Sequence, residues 1–196
     1  YLFTGSTSGS GIWSTLFGSV GALSTIVFVI PIVAKMSGIY GKKTTFIISQ
    51  SISLIGYLLL WFLFVPGNPS LFLYALPLFS FGIGSLFTIM MSMTADVCDL
   101  DELHSGKRRE GIFGAIYWWM VKVGFAFAGM LTGAILSAVG FDPALTTQPE
   151  GALTGLRLFY SGIPIVGTLL AIYVMYSYDL TKEKAESIRA QIKDRK

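Results

Sequence analysis

The chain has 196 residues, 53% of them hydrophobic and 13% charged, with a net charge of +3. Soluble domains carry about twice that charged share, so an ordinary soluble domain is excluded. A single cysteine, Cys98, excludes an internal disulfide framework. The basic residues sit in short segments rather than on one face, which excludes nucleic acid as a partner.

Residues 1–11 are polar and rich in glycine and serine, without the basic start of a cleaved signal. They read as the end of a preceding helix and a periplasmic loop, so the chain reads as a fragment. Apolar runs follow at 12–34, 44–65, 71–97, 111–139 and 153–178. Each is near or above the ~20 residues that a spanning helix needs. Alternating segments of ~10 residues, which a β-barrel requires, are missing. The expected fold is therefore an all-α membrane bundle of five transmembrane helices, with a basic cytoplasmic tail at 179–196.

Orientation follows from the lysines and arginines. Lys35, Lys42 and Lys43 separate the first two runs, and Lys107, Arg108 and Arg109 separate the third and fourth. The tail adds Lys182, Lys184, Arg189, Lys193, Arg195 and Lys196. Twelve of the fourteen basic residues thus fall on one side, expected to be cytoplasmic. Pro31, Pro77 and Pro164 should bend their helices, with Gly82 and Gly84 adding flexure after Pro77. Gly129 and Gly133 form a GxxxG pair suited to close helix packing. Leu180, Ala185, Ile188 and Ile192 recur at roughly helical spacing. Two readings of the tail stay open: a helix lying on the membrane surface, or a loosely ordered segment.

Lys122 is the one charged residue inside the fourth run. At 1.5 Å per residue it lies about 16 Å from the charged end of that run, near the middle of a hydrocarbon layer about 30 Å thick. An ammonium there costs at least ~2.5–3.5 kcal/mol, so it needs a cavity, a pathway or a carboxylate. Trp118 lies one turn before it and Tyr117 one residue further round. Aromatic faces stabilise a nearby ammonium and suit the C–H surfaces of sugars.

The segment 94–111 carries a second signal. Asp96, Asp99, Asp101 and Glu102 crowd the end of a helix, where the dipole opposes them. Lys107, Arg108 and Arg109, or a partner domain, should compensate. Asp96 and Asp99 start inside the apolar run, where an unpaired charge is costly, which points to a latch of salt bridges. Glu110 opens the next helix, where the dipole favours it. His104 stands alone without metal-ligand spacing, and no nucleophile–base pair, phosphate loop or zinc motif is visible. No catalytic or metal residue is expected, and the chain is not expected to be an enzyme.

The run Ala95-Asp96-Val97-Cys98-Asp99-Leu100-Asp101-Glu102, then Ser105-Gly106-Lys107-Arg108-Arg109-Glu110-Gly111, resembles the glycoside-pentoside-hexuronide:cation symporters of the major facilitator superfamily. The likeness continues through Met120-Val121-Lys122-Val123-Gly124 and covers essentially the whole chain. It implies the C-terminal half of a twelve-helix transporter of the inner membrane, working by alternating access. Its implied partners are a sugar or glycoside, membrane lipid and a six-helix N-terminal half. It implies no cofactor beyond a coupling cation, Na⁺ or H⁺, bound mostly by that other half. Lys122 matches a lysine near the family's cation and sugar sites. Trp118 and Phe87 fall where a well-known member lines its sugar cavity, with a small polar residue and a tryptophan. Asp96, Asp99, Glu102 and Arg108 match the charged network that closes the cytoplasmic side, and Arg109 adjoins it. Rival expectations are a drug or lipid transporter of the same superfamily and a membrane assembly subunit that transports nothing.

Overall fold

The computed structural model describes residues 10–65, 68–145 and 148–195. Most of residues 1–11, read above as the end of a preceding helix and its loop, lie outside the described residues. The described chain is helical, without a strand, and five of its helices are long and apolar enough to cross a membrane.

The first span is built in three pieces: α1 (Ser10–Ser24), a π-helical turn (Thr25–Val29) and α2 (Ile30–Tyr40). Pro31 explains the turn. It has no N–H and crowds the preceding carbonyls. The Ile30 N–H bonds to Thr25, five residues back, and the widened turn absorbs the mismatch. Gly41 alone separates α2 from α3 (Lys42–Leu63), and its φ of +80° is open to glycine at little strain.

A short 3₁₀ segment, Pro69–Tyr74, precedes α4 (Leu76–Ser105). Pro77 falls in the first turn of α4, where a missing N–H costs nothing, so the bend expected there has no cause. At 30 residues α4 is about 45 Å long, more than a bilayer core requires. Its last turns carry the acidic cluster, and the helix ends eight residues beyond where the apolar run stops. Then come α5 (Glu110–Ala138), α6 (Glu150–Tyr176) and α7 (Lys182–Asp194).

Helix α3 is the hub, packed against both α4 and α6. Two apolar cores lie at different heights. Val33, Phe46, Ile89, Met93 and Met175 form one near the charged end. Leu60, Phe64, Phe72, Leu76 and Phe79 form the other, with Phe64 and Tyr160 rings edge to face at 5.1 Å. A polar band separates them. Gln50 donates to the Gly82 carbonyl at 3.2 Å, Ser85 to the same carbonyl at 3.0 Å, and Ser53 to the Phe79 carbonyl at 3.3 Å. These bonds need close backbones. A Cβ on Gly82 would lie 2.4 Å from the Ser53 hydroxyl, so Gly82 serves packing rather than flexure.

Helix α5 is the exception: none of its residues is buried. Gly129 and Gly133, expected at a close helix contact, have nothing within 4 Å. The tail is ordered, so the loosely ordered reading fails. It is a helix whose Ala185 and Ile188 are buried, and it packs on α4.

Candidate functional site

The charged end is built by α2, α3, α4, α7 and the loop into α5. Asp96 is buried, and its two oxygens are taken by cations from different elements. Lys42 Nζ of α3 lies 2.6 Å from one, and Arg189 Nη2 of α7 lies 2.6 Å from the other. Lys42 also donates to the Ser92 carbonyl at 2.9 Å. Asp99 accepts from Arg189 Nε at 3.1 Å and from Arg108 Nη1 at 3.3 Å. Arg108 further holds Glu102 at 2.9 Å and Glu110 at 3.1 Å, and Arg109 pairs with Asp101.

The cations therefore relieve the four acids that oppose the α4 dipole. The hydrogen bond to Glu102, then that to Glu110, raises the Arg108 guanidinium far above its ordinary value. Its bond to Asp99 raises Arg189 in the same direction. Burial, followed by the nearby Asp96 charge, pushes the Tyr178 phenol up to about 12, so it stays protonated at neutral pH. Sequence reasoning placed Asp96, Asp99, Glu102, Arg108 and Arg109 here but missed Lys42 and Arg189 as the partners of Asp96. The topology put all these cations on one side, a signal for the neighbourhood but not for the pairing.

The membrane-embedded candidates divide by the face of α5 they occupy. Phe87 of α4 lines a cavity of about 500 Å³ with Gln50, Tyr57, Val121, Phe125 and Thr168. Tyr117 lines a second, of about 580 Å³, with Met93, Met120 and Tyr178, and its buried hydroxyl has no partner there. Lys122 belongs to neither. At 3.6 residues per turn it lies roughly 100–160° round the helix from Tyr117, Val121 and Gly124. It is exposed and enters no ion pair among the described residues. Trp118, 46% exposed, shares its face within roughly 40°, as do Ala115, Ala126, Gly129 and Gly133. Trp118 thus shares the Lys122 face while its ring meets the Tyr117 ring edge-on at 5.3 Å, and Phe87 lines a cavity that Lys122 does not.

Arg157 is the other cation within an apolar span. It donates to the Trp61 carbonyl in the last turn of α3, and its guanidinium sits 5.0 Å over the Trp61 ring. A cation there complements the α3 dipole, a structural use that leaves Lys122 as the unpaired one among the two.

Residues 1–182 match the family of MFS/sugar transport proteins. This chain belongs to that family. The MFS/sugar transport proteins are transporters rather than enzymes. Among curated relatives, it is 32% identical to the glucuronide carrier protein homolog of Escherichia coli K12, over 85% of this chain and 36% of the relative. It is 30% identical to the isoprimeverose transporter of Lactiplantibacillus pentosus, over 72% of this chain and 29% of the relative. It is 29% identical to the inner membrane symporter YicJ of Escherichia coli K12, over 71% and 31%. The chain spans between 25% and 38% of the length of the relatives it matches first.

Proposed function

We propose that this chain is the C-terminal part of a cation-coupled sugar symporter of the inner membrane. Two helical halves rock about a midplane site, and a sugar enters with Na⁺ or H⁺. The observation that carries the reading is Lys122: a cation within a membrane span, without a carboxylate among the described residues, on an α5 face that none of those residues covers. A family whose members carry sugars offers a reason for such a charge. The remaining half would supply the carboxylates. Lys122 pairs with them when no cation is bound and releases them when one arrives. Trp118 stands beside it for the sugar, and Phe87 and Tyr117 complete the wall as the helices move. No other cofactor takes part.

The charged end serves as the cytoplasmic gate, with the C-terminus on the same side. The twelve basic residues on that side support this orientation. Its pairs are unequal. Asp96 is sealed within the chain, whereas Arg108 and Arg109 are half exposed and free to exchange partners at low cost. Asp99 and Glu102 are the acids that exchange.

Full-length protein in vesicles, offered a panel of labelled sugars with and without a sodium or proton gradient, tests the reading. Uptake of a sugar driven by one gradient is expected. A protein that moves drugs or lipids but no sugar, or that moves nothing, overturns it.

A further inference from the structure

Helix α7 has few ties to the body, and each can be undone singly. Ala185 and Ile188 are its buried apolar side chains. Its remaining anchors are polar: Arg189 on Asp96 and Asp99, Lys182 on the Gly38 carbonyl at 2.7 Å, and Arg195 on the Leu103 carbonyl at 2.6 Å. A cleft of about 420 Å³ runs between α7 and the corner of α2 and α3, bordered by Gly38, Lys42, Asp96, Thr181 and Arg189. An element so attached belongs to the low-stability end of a structure.

The ion pairs add the deciding point. Both acids held by Arg189 have a second cation from the five-helix body: Lys42 for Asp96 and Arg108 for Asp99. Were Arg189 their only partner, its departure would strand a buried carboxylate. Here it strands none. The helix also keeps its own ends in order. The Thr181 hydroxyl accepts from the Lys184 N–H, Glu183 stands in the first turn and Lys193 in the last.

We propose that α7 is a reversible clasp. Docked, it ties the end of α2, through Gly38, to the end of α4, through Asp96, Asp99 and Leu103, and restrains their separation. Released, it leaves Asp96 on Lys42 and Asp99 on Arg108, and the Arg108 pairs are then free to exchange as the charged end opens. The clasp depends on the transport reading only for when it opens.

The test uses the full-length protein in lipid nanodiscs, with Cys98→Ala and spin labels at His104→Cys and Ala190→Cys, both exposed positions. Distance measurements should give a short docked population and a longer released one. Arg189→Gln should lower the docked-to-released ratio about tenfold, and Arg189→Lys should restore part of it. Truncation after Asp179 should leave a folded protein. An Arg189→Gln variant with an unchanged distance distribution overturns the proposal. So does a truncation that abolishes folding, since α7 would then be a permanent brace. A protein that moves no sugar yet shows the distance shift defeats the transport reading and leaves the clasp standing.

Discussion

Asp96 and Lys122 are both charged residues on apolar helices, and the structure treats them in opposite ways. Asp96 is buried with a cation on each oxygen. Lys122 is exposed, on a face bare of partners among the described residues. On the proposed function, the first is a structural charge and the second a charge kept for transport. Asp96→Asn should therefore lower stability by about 2 kcal/mol, read as a drop in melting temperature, because it strips two cations of one acceptor. The figure is modest because Lys42 and Arg189 are partly solvated and find water instead. Lys122→Ala should leave melting temperature and protein level alone. The coupling between cation and sugar, about 5–150-fold in a typical linked system, should collapse toward one when sugar affinity is titrated with and without sodium. A membrane assembly subunit predicts the reverse: lower protein level and no change in transport.

At the scale of helices, a glycine matters through what lies opposite it. Gly82→Ala drives a Cβ to 2.4 Å from the Ser53 hydroxyl and forces α3 and α4 apart. A loss of about 1–3 kcal/mol is expected, read by thermal unfolding. A Cβ on Gly129 meets nothing within 4 Å among the described residues, so Gly129→Leu has open space to enter. It should leave these helices intact and lower uptake by obstructing the face that the other half covers. Helix α7 adds a pH signature. Its own backbone N–H, then the Thr181 hydroxyl, holds the Glu183 carboxyl below its ordinary value of 4.5. A lowered value stabilises the helix above the ordinary range and ceases to do so as pH falls through the lower one. The α7 start should therefore fray below pH 4.5 and not between pH 6 and 8, which circular dichroism of the peptide 179–196 checks. The existence of each long helix was legible because twenty apolar residues in sequence have few other fates. The ends were less so. The acids of α4 look like a helix stop, and the helix continues only because cations distant in sequence neutralise them. The tail was legible in part: Ala185 and Ile188 were read at helical spacing, but their docking on α4 was not, since two buried side chains give a weak periodic signal.

For the molecule as a whole, the family was readable from the acidic-to-basic segment and the mid-helix lysine, and the chain's membership bears that out. Which candidates share a cavity was not readable. Lys122 and Phe87 were grouped through the family resemblance, whereas Phe87 lines a cavity that Lys122 does not enter, and that division has meaning only once the packing of α5 is known. On the proposed function, the Lys122 face lines an aqueous route between this chain and the rest of the transporter. Lys122→Cys in a Cys98→Ala full-length protein measures this directly, with charged, membrane-impermeant thiol reagents applied in the presence and absence of sugar and sodium. The account predicts rapid modification that sugar with sodium slows. A thiol that reacts only with a lipid-soluble reagent, at a rate indifferent to sugar and sodium, would contradict it.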